Sequence, residues 1–82
     1  RDVTAPSTPS NLSVQRDGSI DKLSWSGVHE SGARYQVLRD DRVIATVSGT
    51  SYEVEHTDGA RYYVRSIDAS ENFSASTGAA QA

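Results

Sequence analysis

The chain has 82 residues, no cysteine and a formal net charge of −3. That length holds one small domain and leaves no room for a second. No disulfide or thiolate site is available, so stability must come from apolar burial and β hydrogen bonding. The dispersed, slightly acidic charge argues against nucleic acid and anionic membranes as partners, since both require a basic field. No apolar run reaches the roughly 18 residues of a membrane span.

Residues 1–8, rich in Pro, Ser and Thr, are expected to form an extended linker, with the chain cut from a longer protein. Asn11 to Gln15 alternates apolar and polar and predicts the first strand. Arg16-Asp17-Gly18-Ser19 is a turn in which Gly18 supplies positive φ. Ile20 to Ser26 predicts the second strand, with Leu23 and Trp25 on one face. Ile20 is out of phase with them, which implies a bulge at Asp21-Lys22 or an Ile20 that belongs to the turn. Gly27 to Ala33 reads as a loop.

Arg34 to Arg39 predicts the third strand, with Tyr35 and Val37 on one face. Asp40-Asp41 then makes a tight hairpin into Arg42 to Val47, with Asp41 in a left-handed conformation. Thr50 to Val54 is the fifth strand. Ala60 to Asp68 is the strongest β signal in the chain, rich in the tyrosine, valine and isoleucine that suit a pleated surface. Tyr62, Val64 and Ser66 share one face, and Tyr63, Arg65 and Ile67 the other. Phe73 to Thr77 completes a set of seven strands, and residues 78–82 are expected to be a second linker. Strands at this density predict an all-β sandwich or barrel.

The ordered set of motifs resembles a fibronectin type III domain of the bacterial extracellular kind. It consists of Val3 to Leu12, Leu23-Ser24-Trp25, Tyr35 to Arg39 with Ile44 to Val47, and Tyr62 to Val64 with Asp68, Asn72 and Ser74. The resemblance implies a seven-stranded immunoglobulin-like sandwich over residues 9–77, with the first, second and fifth strands facing the third, fourth, sixth and seventh. Trp25, Tyr35, Tyr62 and Val64 are its expected structural residues. Tyr62 takes the tyrosine-corner role, in which its hydroxyl bonds a backbone group a few residues upstream. The family usually carries leucine where this chain has His56, and often proline where it has Asp58. The resemblance therefore leaves two outcomes open: His56 partly buried beneath the loop, or a rearranged loop.

No catalytic constellation is evident. His29-Glu30 are adjacent in a loop, point apart and read as exposed. His56, Asp58 and His29 lack the spacing of a zinc site, so no metal or cofactor is expected. Asp40-Asp41 and Asp17-Gly18 are turn chemistry and lack the alternating acids of a calcium loop. The sequons at Asn11 and Asn72 are expected to go unused in a bacterial source. Tyr63 and Phe73, with Arg65 beside them, are the aromatic candidates for an exposed ligand-binding platform. The resemblance implies a non-catalytic spacer in a secreted or cell-surface multidomain protein, with a polysaccharide-degrading enzyme as host. Its partners would be the neighbouring domains of the same chain, and the isolated domain is expected to be a monomer. The alternative is a weak polysaccharide- or surface-binding module.

Overall fold

In the computed structural model, residues 6–28 and 32–81 are described. Six strands are present among them: β1 (Ser10–Asp17), β2 (Ile20–Ser26), β3 (Arg34–Arg39), β4 (Arg42–Val47), β5 (Ser51–Glu55) and β6 (Tyr62–Ile67). They form two antiparallel three-stranded sheets, ordered β1-β2-β5 and β4-β3-β6. The sheets enclose a core of Leu23, Trp25, Tyr35, Val37, Ala60, Tyr62 and Val64. Leu12, Val14, Ile44, Val47, Tyr52 and Val54 pack around it.

The turns carry the conformations their residues permit. Gly18 has φ 64 and opens the two-residue turn between Asp17 and Ile20. Asp40 and Asp41 both have positive φ, 49 and 71, as a two-residue hairpin of the I′ kind demands. Asp40 also uses its side chain: Oδ1 accepts from the Arg61 amide at 3.1 Å, tying the hairpin to the segment that leads into β6.

Gly27 is required by a close approach. A Cβ there would meet the Tyr35 hydroxyl oxygen at 2.6 Å. That hydroxyl accepts the Val28 amide at 2.9 Å, and the Tyr35 ring stands edge-on to Trp25 with centroids 5.8 Å apart.

The expected irregularity in β2 is absent. Its pairing with both β1 and β5 runs without a shift from Ile20 to Ser24, and Ile20 is a true strand residue. Alternation therefore places Asp21, Leu23 and Trp25 on the inner face, and all three are buried. The core face begins on a carboxylate that an apolar pattern does not reveal. The bulge lies instead in β1, where the register shifts between Ser10 and Ser13 and Asn11 has φ 59. A second lies in β4 between the partners of Val37 and Leu38, and it turns both Ile44 and Ala45 toward the core.

The expected seventh strand is also absent, although the chain does follow β6. Ser74, Thr77 and Ala80 donate their amides to the carbonyls of Ser66, Val64 and Tyr62 in turn. The segment thus advances three residues for every two of β6, a pitch that a β ladder cannot hold. Side-chain oxygens fill the gaps: Ser66 N–H donates to Ser74 Oγ at 2.8 Å, and Val64 N–H to Thr77 Oγ1 at 3.1 Å. Only isolated bridges at Ile67–Phe73 and Tyr62–Ala80 remain of the ladder. The serine and threonine hydroxyls let the backbone groups of a buried strand be satisfied by an irregular neighbour.

Candidate functional site

Two places concentrate the chemistry-bearing side chains, one on each face of β6. The inner one is built on the buried carboxylate of Asp21, only 1% exposed. Burying a carboxylate is unfavourable unless donors surround it. The fold brings two. The Tyr62 hydroxyl donates to Oδ2 at 3.0 Å, from the facing sheet. His56, just beyond β5, places Nδ1 2.8 Å from Oδ1. Its other ring nitrogen, Nε2, lies 2.8 Å from Asp58 Oδ1. The His56 amide donates to the Ser19 carbonyl at 2.8 Å, which fixes the ring's origin beside the β1–β2 turn.

This arrangement corrects the tyrosine-corner expectation. Tyr62 is buried, but its hydroxyl is spent on the Asp21 side chain, 41 residues away, rather than on a nearby backbone group. The two unusual residues of the loop explain each other. His56 lies partly beneath the loop and faces the carboxylate that alternation drives into the core. Asp58 holds its far edge. Burial, followed by the bond to Asp21, raises the pKa of the Tyr62 phenol above its ordinary value. The bond to Asp21, followed by the bond to Asp58, raises that of His56.

A His and a Tyr that share one Asp are the ingredients of acid–base chemistry, and here each of the three is engaged with another part of the fold. Both imidazole nitrogens already lie within hydrogen-bond distance of carboxylate oxygens, so the ring is engaged with its own neighbours. Two open surface grooves, of about 500 and 470 Å³, lie elsewhere. One crosses the outer face of the β1-β2-β5 sheet, and the other runs between residues 8–12 and 76–79. Neither reaches Asp21, His56 or Tyr62.

The outer place is the row Tyr63, Arg65 and Phe73. Phe73 is 44% exposed, while Tyr63 and Arg65 are half-buried. The Arg65 guanidinium carbon stands 4.3 Å from the Phe73 ring centroid, and its Nε donates to Gln36 Oε1 at 2.9 Å. Arg65 and Phe73 therefore form a stack, and one ring face is already covered. Tyr63 lies on the other side of Arg65, paired across the sheet with Leu38. Val43, opposite Leu38 in β4 and 44% exposed, extends the apolar row, and the bulge that follows it hides this placement from the sequence pattern.

The remaining candidates resolve simply. Asp68 closes the turn after β6, accepting from the amides of Ser70 and Asn72 at 3.0 and 2.8 Å and from Asn72 Nδ2 at 3.1 Å. These bonds, the Asn72 amide first, hold its carboxyl below the usual carboxylate range. The Asn11 side chain donates to Ser26 Oγ at 3.0 Å. His29 and Glu30 lie outside the described residues. Among the described residues, no cluster of three or more His, Cys, Asp or Glu is placed to hold a metal ion.

No protein-family profile matches the chain, and no curated protein matches it. Solved structures do. The crystal structure of the Clostridium perfringens spore cortex lytic enzyme SleM aligns over 88% of this chain and 26% of its own, at 19% identity and a TM-score of 0.79. The central fibronectin-III array of RIM-binding protein aligns over 89% of this chain and 32% of its own, at 24% identity and a TM-score of 0.70. This chain thus spans about a third or less of the molecules it resembles. At these identities the likeness is one of fold, and the fold is that of a fibronectin type III-like β-sandwich.

Proposed function

We propose that the chain is a non-catalytic spacer module of a secreted or cell-surface multidomain bacterial protein, with a polysaccharide-degrading enzyme as its host. The observation that carries the reading is the fate of its reactive groups. Asp21, His56, Tyr62 and Asp68 are all engaged in bonds that hold strands and turns together. A module built this way offers its neighbours a stiff body and holds them apart. Fold likeness adds support of a weaker kind: SleM is a lytic enzyme in which the matching part is about a quarter of the chain.

The alternative is a weak polysaccharide-binding module, and one observation favours it: Phe73 keeps an exposed ring beside Tyr63 and the Arg65 guanidinium. Incubating the 82-residue chain with insoluble chitin, cellulose and peptidoglycan separates the two. The spacer reading expects the chain to stay in the supernatant. Retention on any of the three that disappears in Tyr63→Ala or Phe73→Ala would replace it with the binding reading.

A further inference from the structure

The ring of His56 stands between two carboxylates on separate pieces of the chain. Asp21 belongs to β2 and is buried, while Asp58 belongs to the loop between β5 and β6 and its side chain is 98% exposed. Each ring nitrogen is 2.8 Å from one of them. A neutral imidazole has a single N–H, so it can donate to one carboxylate and must turn a lone pair toward the other. Only the doubly protonated ring satisfies both.

We infer that His56 is a proton-operated clasp: with both ring nitrogens protonated it bridges Asp21 of β2 and Asp58 of its own loop, and when one proton leaves it keeps Asp21 and releases Asp58. The order of release follows from burial. Asp21 has no water to replace a lost donor, so the remaining proton stays on Nδ1. Asp58 is hydrated already and gives up its bond at little cost.

Among the described residues, the charged groups that face the ring are Asp21 from β2, Asp58 from the loop and Arg16 from β1, with the Tyr62 hydroxyl reaching it through Asp21. The two acids favour the second proton, whereas Arg16 and burial oppose it. The balance lifts the ring above its ordinary 6.5. In the unfolded chain the ring returns to that ordinary value. The clasp's contribution is therefore complete below pH 6.5 and is lost as pH rises through the folded value. The loop is thus held most firmly in mildly acidic surroundings.

Nitrogen-15 spectra of the imidazole, recorded across pH 5 to 9 on the 82-residue chain, test this directly. The expected result is that both His56 nitrogens stay protonated above pH 6.5. Urea unfolding in parallel should show a midpoint that falls with pH in wild type and stays level in His56→Gln. Asp58→Asn changes an exposed residue, so it should fold in any case, lower the pH at which His56 titrates and flatten part of the slope. Titration of His56 at or below 6.5 in the wild-type fold would overturn the clasp. So would a wild-type pH slope preserved in His56→Gln or, if that variant does not fold, in Asp58→Asn.

Discussion

The two faces of β6 hold similar chemical groups to different ends. On the inner face a buried tyrosine and a buried aspartate meet a partly buried histidine, and the two buried groups depend on their partners. On the outer face an arginine, a phenylalanine and a glutamine meet in contact with solvent, where water can replace any of them. Burial sets the difference. A hydrogen bond contributes modestly when water competes for its partners, whereas a buried group left without a partner carries its full desolvation penalty. Neighbouring residues of one strand, Tyr62 and Tyr63, thus have unequal weight in the fold.

The inner face is most vulnerable at Asp21. Asp21→Ala leaves the buried Tyr62 hydroxyl without its acceptor and opens a small void, which should destabilise the domain by about 2–4 kcal/mol. Chemical denaturation measures it, and in a domain of this size each 1 kcal/mol lowers Tm by roughly 4–8 °C. Tyr62→Phe is the next step down. It keeps the ring and removes one of the donors to Asp21, for a loss of about 1–3 kcal/mol. Combining Asp21→Leu, His56→Leu and Tyr62→Phe sharpens the point. If the inner cluster is a set of mutually dependent polar groups, the triple variant should be more stable than the sum of its single changes predicts. On the outer face, Arg65→Ala and Phe73→Ala should each change stability by about 1 kcal/mol or less.

The pH profile compares two anchors rather than two faces. Asp68 is held below its ordinary 3.8 by the turn it closes, so its contribution is present above that pH and is lost as pH falls through the folded value. His56 sets the other limb, complete below 6.5 and lost as pH rises. Between them lies a window from about 3.8 to 6.5 in which both anchors are intact. A denaturation midpoint that peaks in that window in wild type, and loses its acid limb in Asp68→Asn, is the expected pattern. At the alkaline extreme, the raised Tyr62 phenol adds a further loss as pH climbs beyond 10.

Period-two alternation was enough to read most of the strands from the chain, because alternation is a local property. It located β2 and β3 to the residue and put Tyr62, Val64 and Ser66 on one face, all three of which are buried. The same logic, applied only to apolar residues, misplaced the bulge. Asp21 lies at a core position, and nothing near it in sequence says that a histidine 35 residues on and a tyrosine 41 residues on will supply its donors. The final segment failed for a related reason. Phe73 to Thr77 alternates well enough to suggest a strand, yet whether it pairs depends on its pitch against β6, which its own residues do not display. The outer-face candidates were legible as residues, but the stacking of Arg65 on Phe73 was not.

The sequence by its local pattern carried the all-β class, six of the strands, the turn residues and the aromatic core, because these follow from local sterics and from which side chains leave water. How the polar exceptions are accommodated was settled by the packing of the two sheets. Alternation turns Asp21 inward, and the facing sheet and the loop after β5 then supply the donors that make its burial tolerable. That closure joins residues far apart in the chain, and their partnership exists only once the two sheets have come together.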